Sequence, residues 1–302
     1  MNPLIIFDHL RRALWRSFGH SALNNAKAAA YSAILSIFPA LLVVTTLLAL
    51  TPETDTVRSD IRNAFSEFLP PDTMSLLQTY FLNNHAHSVR LIWTAICICL
   101  GAAMGVMLSL MDGFRQAYLF PRREWSFWRE HLIALMLVPG TLVPLIFATG
   151  LVAFGHAIEH WMIENADHEI RLYVLFIWRM IRWTIATLTS IAMLVVIYHF
   201  GTPRARPWKQ VLPGSLLATV TWFLTTLGYG WYITRYADYS VVYGSFAAGV
   251  ATLVWLYMIC FTILVGAEFN ALIFPAALPA ASPIAEFKED KNVVTMPPQQ
   301  AV

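Results

Sequence analysis

The chain has 302 residues, of which 58% are hydrophobic and only 13% are charged, and its mean hydropathy is +0.58. Soluble domains carry about 25% charged residues, so a soluble fold of this size is excluded and lipid must cover much of the surface. A net charge of +2 lacks the basic excess of nucleic-acid-binding proteins, so we expect no nucleic-acid partner.

Residues 1–27 predict an amphipathic helix at the membrane interface. Four apolar residues share one helical face, and three basic residues lie away from it (Phe7, Leu10, Leu14 and Phe18; Arg12, Arg16 and His20). This pattern is typical of an anchor on an anionic leaflet. A helix that docks on a partner is the alternative interpretation.

Six apolar segments follow, each long enough to cross a bilayer. They cover residues 28–50, 91–111, 132–155, 173–200, 211–233 and 244–274. The last is the clearest, because residues 244–267 contain no charge at all. The sequence therefore predicts an all-α, polytopic membrane domain of six transmembrane helices over residues 28–275.

The first of these segments contains Ser32, Ser36 and Pro39. A proline inside a helix removes one backbone donor and favours a kink, and hydroxyl groups can bond the carbonyls that are freed. Such a helix can line a pathway or can simply pack in a bundle. In the third segment, Pro139 and Pro144 predict a bent or broken helix of the kind that transporters use at binding sites.

Two further segments are predicted outside the membrane. Residues 51–90 show two short helical patterns separated by Pro70 and Pro71, which predicts a helical hairpin on the outer side. The hairpin is interpreted either as a lid or as a passive interfacial element. Residues 276–302 are rich in proline and polar residues and predict a disordered cytoplasmic tail.

The orientation follows from the distribution of lysine and arginine. With the N-terminus in the cytoplasm, the inner segments hold 13 of the 20 basic residues and the outer segments hold 7. Cytoplasmic loops are enriched in these residues, so both termini are predicted to be cytoplasmic. The inner loops combine arginines with Trp125 and Trp128, which predicts contact with anionic lipid head groups.

Ionisable and polar groups at the ends of the spans are the candidate functional residues. Asp112, Glu268 and Asn270 fall at the inner ends, and charged groups there mark either a pathway or a structural pair. A salt bridge to Arg115, Arg204 or Arg206 is the structural interpretation, and a role in moving a cation or proton is the functional one.

One short stretch matches a metalloenzyme pattern. His156, Glu159 and His160 form H-x-x-E-H, in which two histidines one helical turn apart can bind zinc. The surrounding segment is rich in polar residues, so a solvated outer loop is the simpler interpretation. No cofactor motif or other catalytic constellation is found, so we expect neither a cofactor nor an enzyme.

Three stretches resemble the YihY/BrkB family of bacterial inner-membrane proteins. They are AAAYSAILSIFPALL, PWKQVLPGSLLATVTWFL and the final apolar block, which carries Tyr243-Gly244, Trp255-Leu256-Tyr257 and Gly266-Ala267-Glu268-x-Asn270. The resemblance implies a six-helix protein of the cytoplasmic membrane. Some members have been labelled as ribonucleases, but these residues include no soluble domain with a metal-ligand cluster to support that activity.

The sequence thus predicts a protein that moves or handles a small or lipidic envelope substrate. Its pathway residues would be Ser32, Ser36, Pro39, Asp112, Pro139, Tyr243, Gly244, Glu268 and Asn270. A structural membrane protein is the main alternative, and a metalloenzyme that uses His156 and His160 is the remote one.

Overall fold

The computed structural model describes residues 3–49, 89–121, 124–165, 171–204, 206–235 and 246–275. Within these ranges the chain is all-helical. The helices are α1 (Pro3–Gly19), α2 (Ala22–Ala49), α3 (Val89–Ala117), α4 (Phe127–Asn165), α5 (Arg171–Phe200), α6 (Trp208–Arg235) and α7 (Ala247–Ile273).

Five of these helices contain a segment long and apolar enough to cross a membrane. The segments are Ile92–Ala117, Phe127–Phe147, Phe176–Phe200, Trp208–Arg235 and Ala247–Ile273, all within the described part of the chain. The predicted first span forms most of α2, which is not among the five, so the six-span topology stays a prediction. The outer hairpin, Tyr243, Gly244 and the tail lie outside the described residues.

The third predicted span differs from expectation because α4 is one continuous helix. Its backbone remains helical through Pro139 and Pro144, so the helix is not broken there, and a bend at these prolines stays a prediction. Each proline removes only one backbone donor, and the neighbouring turns of a long helix can retain their own bonds. The helix also extends through residues 156–165, which the sequence interpretation placed in an outer loop.

Helices α2 to α7 form a ring in chain order, closed by contact between α7 and α2. Neighbouring pairs run antiparallel: Asn25 and Ser32 of α2 lie beside Gly113 and Gly105 of α3. Helix α3 also reaches α7 across the ring, and α1 packs outside it against α7 and α2. Between α1 and α2 the chain turns at Ser21, whose φ of 57° lies in the left-handed region.

Among the arginines that the structure describes, more lie at one end of the ring than at the other. The starts of α2, α4 and α6 meet the ends of α3, α5 and α7 there, beside α1. We call this the basic end; its cationic residues include Arg16, Arg115, Arg204 and Arg206. Its core contains several fully buried large side chains, namely Phe114, Leu194, Tyr198, Val211 and Leu264.

Packing is much closer at the basic end than at the opposite end. In α7 every residue of 262–271 is buried, whereas none of residues 247–258 is. Five of the six buried residues of α6 lie within 211–219, the sixth being Tyr229. The described side chains of α2 and α3 show the same gradient: α2 is buried only at 22–30, and Ala95 is the only buried residue in the first half of α3.

Helices α6 and α7 approach each other most closely where two glycines face each other. A Cβ atom on Gly266 would lie 2.7 Å from the carbonyl oxygen of Gly214 and 2.9 Å from the Cβ of Ala218. A Cβ on Gly214 would overlap the carbonyl oxygen of Gly266 and the amide of Asn270. Small residues at a helix crossing allow this backbone contact, which drives helix association in lipid.

We therefore expect Gly214→Ala and Gly266→Ala each to destabilise the protein. The added methyl groups meet backbone atoms that cannot move independently, and overpacking of this kind costs about 1–3 kcal/mol. Thermal unfolding of the purified protein in detergent measures the loss. The matched controls are Gly228→Ala in α6 and Gly249→Ala in α7, where nothing lies within 4 Å of the new Cβ. Equal losses in the controls would refute the close-contact explanation.

Candidate functional site at the basic end

The centre of the basic end is a buried carboxylate. Glu268 of α7 is only 2% exposed, and its Oε1 lies 2.6 Å from Nδ1 of His20. The other oxygen, Oε2, lies 3.5 Å from Nε of Arg16. We call these three residues the Glu268 cluster. A buried carboxylate in a spanning helix is costly unless it is paired, and here α1 supplies both partners.

Helix α1 reaches the carboxylate because its sequence places the partners one turn apart. His20 directly follows α1 and its N–H still bonds the carbonyl of Arg16 at 2.8 Å, so Arg16 and His20, four positions apart, project from the same side. Ala13 and Ser17 on that side are fully buried, and the small side chains allow α1 to lie close against the bundle. Arg16 also donates a hydrogen bond to the carbonyl of Ala117, at 3.4 Å, so it joins the ends of α3 and α7.

A second polar contact lies one half-turn further along α7. The side chain of Asn270 is fully buried and bonds to two backbone groups of α6. Its Oδ1 accepts from the N–H of Gly214 at 2.7 Å, and its Nδ2 donates to the carbonyl of Val211 at 3.0 Å. Asn270 therefore ties the start of α6 to the end of α7, beside the glycine crossing.

Tyrosine side chains complete the buried part of the site. Tyr198 of α5 donates its hydroxyl to the carbonyl of Ile263 at 2.6 Å and packs edge-on against Phe114. The ring of Tyr118 lies 4.9 Å from the Arg206 guanidinium. Burial raises the pKa of Tyr118 to about 12; the charge of Arg206 opposes the rise and that of Glu268 adds to it. Tyr118 is therefore a neutral hydroxyl group at physiological pH.

Around this buried centre lies a half-exposed aromatic and basic layer. The Arg204 guanidinium lies 5.4 Å from the ring of Phe120 and 2.8 Å from the carboxylate of Glu124. His199 donates from Nδ1 to the carbonyl of Arg206 and stacks on Trp208, with the ring centres 4.0 Å apart. These contacts hold the loop between α5 and α6 against the end of α3.

The structure separates the predicted site residues into two groups. Glu268 and Asn270 are both buried in the site. The others lie elsewhere: Ser36 bonds the carbonyl of Ala33 in its own helix, Ser32 and Pro39 are half-buried in α2, and Pro139 is exposed on α4. Asp112 has a half-exposed side chain and pairs with Arg115 at 3.1 Å, as the structural interpretation predicted.

The expected arginine partners of Glu268 were wrong. The sequence favoured Arg115, Arg204 or Arg206, but Arg115 pairs with Asp112 and Glu130, and Arg204 pairs with Glu124. The true partners lie 248 and 252 positions earlier in the chain, on a helix interpreted as a separate anchor. The only signal in the sequence was the four-residue spacing of Arg16 and His20 on one side of α1.

The metal hypothesis is not supported by the described side chains. Among these, no group of three His, Cys, Asp or Glu residues is placed to hold a metal ion. His156 and His160 lie one turn apart on the helical backbone of α4, but their side chains lie outside the description. A metal site at these two residues stays a prediction.

The sequence is similar to those of known proteins over most of its length. Residues 15–286 match the family described as Virulence factor BrkB. The ribonuclease-like protein YfkH of Bacillus subtilis is 26% identical over 260 residues, which cover 84% of this chain and 90% of that protein. UPF0761 membrane proteins of Azotobacter vinelandii and Chromohalobacter salexigens are 23% and 25% identical, covering 86% and 88% of this chain.

The two UPF0761 proteins are longer than this chain. The matched residues span 62% of the Azotobacter protein and 63% of the Chromohalobacter protein. No solved structure matches the chain.

We expect the three members of the Glu268 cluster to act as one unit. Glu268→Gln leaves Arg16 and His20 without a buried charge to pair with, so it should lower the free energy of unfolding by about 3 kcal/mol. A double-mutant cycle with His20→Gln should show a coupling energy of about 1–3 kcal/mol, because the residues are in contact. Thermal unfolding in detergent is the measurement.

The control for this cycle is Asp112→Asn. Asp112 is a half-exposed carboxylate on α3, so its substitution should cost less than about 1 kcal/mol and should add independently to that of Glu268. Additive effects of Glu268→Gln and His20→Gln would contradict the contact between them.

Ionisation of Tyr118 makes the stability of the basic end fall at alkaline pH. Its folded pKa of about 12 exceeds the unfolded value of 10.0, so the unfolded chain loses this proton first as the pH rises. The stabilising contribution is complete below pH 10 and is lost between pH 10 and 12. We expect Tyr118→Phe to reduce the fall in melting temperature over that interval. An unchanged fall would exclude Tyr118 as its source.

Proposed function

Because the chain belongs to the Virulence factor BrkB family of membrane proteins, we propose that it moves or handles a small or lipidic substrate of the bacterial cell envelope. The observation that carries this proposal is the packing gradient along the bundle. The basic end is closed by buried side chains, whereas most described residues in the opposite halves of α2, α3, α6 and α7 are half-buried or exposed, Ala95 and Tyr229 being the buried exceptions. Closer packing at one end than at the other, among the residues that the structure describes, fits one state of an alternating-access protein.

The residues that close the ring are suited to holding one conformation. Tyr198, Leu264 and Phe114 come from three different helices and fill the space between them. The polar contacts of Glu268 and Asn270 lie beside these three packed side chains. Packed cores shift between discrete arrangements rather than deforming continuously. Opening the basic end would require breaking contacts that can be identified and altered.

The same proposal includes location and orientation. We place the protein in the bacterial inner membrane with the basic end facing the cytoplasm. Arg11, Arg12, Lys27, Arg204 and Lys209 all lie at or beside this end, and loops rich in lysine and arginine remain on the cytoplasmic side. A non-enzymatic activity is part of the proposal, and the ribonuclease-like name belongs to the Bacillus relative alone.

A structural role is the second candidate, and one observation favours it. Glu268, Asn270 and Tyr198 all find hydrogen-bonding partners inside the protein. Buried polar groups that satisfy one another can hold helices together without a substrate. In that case substitution of the Glu268 cluster would reduce stability and change nothing else.

Reconstitution into vesicles distinguishes the two functions. The probes are a fluorescent phosphatidylglycerol, scored by protection from dithionite, and entrapped carboxyfluorescein, scored by release. We expect the wild-type protein to accelerate movement of at least one probe over protein-free vesicles. Glu268→Gln, which loosens the closed end, should change that rate at least twofold, whereas the half-exposed Asp112→Asn should not.

The outcome that rejects transport of these probe classes is equally clear. It is a rate equal to that of protein-free vesicles for both probes, with Glu268→Gln affecting melting temperature only. That result would favour the structural function. The variants are compared at equal reconstituted amounts and below their melting temperatures, so that unfolded protein does not contribute to the release of carboxyfluorescein.

A further inference from the structure

Helix α1 has three chemically different sides, and one of them is buried against the bundle. The bundle side consists of Ala13 and Ser17, both fully buried, together with the two partners of Glu268. On the other two sides the described residues Phe7, Arg11, Arg12, Leu14, Trp15 and Phe18 are exposed.

The second side is apolar and continuous with the lipid-facing surface of the bundle. Phe7 is 68% exposed and Phe18 is 55% exposed, and Leu14 lies between them at helical spacing. Phe18 packs against Phe261 of α7, with ring centres 5.8 Å apart. Because α7 contains a membrane-spanning segment, the apolar side of α1 extends the surface that α7 offers to lipid.

The third side is basic and includes an exposed tryptophan. Arg11 and Arg12 are highly exposed, and both lie within hydrogen-bonding distance of the single carboxylate of Asp8, at 3.1 and 2.8 Å. Two guanidinium groups share one carboxylate, so a positive charge remains beside the apolar side. Trp15 is 74% exposed, and tryptophan is enriched at the level of lipid head groups.

We propose that α1 binds the anionic phospholipid surface bordering the basic end, and that this binding stabilises the Glu268 cluster. Apolar residues next to arginines and a tryptophan form the pattern of a helix lying in the head-group region. A second copy of the chain or a soluble protein would match the apolar side less well, because that side continues into a lipid-covered helix. The inference is independent of any transport activity.

The physical link between the lipid and the cluster is α1 itself. Arg11 and Arg12 lie one to two turns before Arg16 and His20. An interaction that holds Arg11 and Arg12 at the membrane surface therefore also holds Arg16 and His20 in position. When lipid fixes α1 against the membrane, the two cations remain beside Glu268. Anything that favours the docked state over the detached state stabilises the folded protein by the difference in affinity.

The test uses the full chain in nanodiscs of phosphatidylcholine, with and without phosphatidylglycerol. We expect phosphatidylglycerol to raise the melting temperature by about 2–4 °C, a shift typical of a small stabilisation of a domain of this size. The double variant Arg11→Gln/Arg12→Gln should lose this rise. The matched control is Arg235→Gln, which removes an exposed arginine from the far end of α6 and should retain it.

A second measurement locates the helix. Brominated lipids quench nearby tryptophan fluorescence, so the wild-type protein should show more quenching than Trp15→Phe, in which the ten other tryptophans give the background. Glycerol phosphate, added to phosphatidylcholine nanodiscs, tests whether a free phosphate is sufficient; we expect no rise in melting temperature. The contribution of the cluster is tested by His20→Gln, which should at least halve the rise caused by phosphatidylglycerol.

Several results would overturn the inference. They are an equal rise in Arg11→Gln/Arg12→Gln, an equal loss in Arg235→Gln, and a full rise produced by glycerol phosphate. Unchanged quenching in Trp15→Phe would show that this side of α1 is away from lipid. A melting temperature that depends on protein concentration and not on lipid would assign the surface to a second copy of the chain.

Discussion

The structure depends on how one buried carboxylate is paired. Glu268 lies in the most apolar helix of the chain, where an isolated charge would be far too costly to remain. The partners that stabilise it come from α1, which has no other polar tie to α7 among the described contacts. Helix α1, which composition alone would assign to the membrane surface, is thereby made part of the bundle. The pairing of Glu268 thus connects the two ends of the described sequence.

The Glu268 cluster lies beside a backbone contact between α6 and α7 that has no room for a residue larger than glycine. Gly214 and Gly266 bring α6 and α7 together, and Asn270 bonds to α6 within a turn of the crossing. The two devices differ in physical origin. Close packing of small residues gives dispersion energy in lipid, where the hydrophobic effect does not drive helices together, and the hydrogen bonds fix the register. Together they fix how the start of α6 meets the end of α7.

The sequence was sufficient to predict an all-helical membrane protein with several long apolar helices, because apolar length is a direct consequence of bilayer thickness. It also singled out Glu268 and Asn270, since polar groups inside apolar runs are conspicuous. It could not identify the partners of Glu268. Several arginines lie at the basic end, and their charge is equivalent in sequence, so only packing distinguishes Arg16 from Arg204.

The prediction for α4 failed for a related reason. Proline and glycine were read as a break, but a spanning helix in lipid has a strong requirement to keep its backbone bonds within the segment. The loss of single donors at Pro139 and Pro144 is smaller than the cost of exposing a whole turn. Proline and glycine indicate a local preference for ending a helix, and the surrounding lipid determines whether the chain can end it there.

The packing gradient restricts where this protein can change shape. At the basic end, movement of α7 relative to α6 would break the Asn270 hydrogen bonds, and movement relative to α1 would separate Glu268 from its cations. At the opposite end, the half-buried residues of α7 have fewer tightly packed neighbours, so a smaller free energy is needed to shift them. Any conformational cycle must therefore begin at the loosely packed end or first release α1. Release of α1 would separate Glu268 from Arg16 and His20, so the position of α1 decides whether the end of α7 can move.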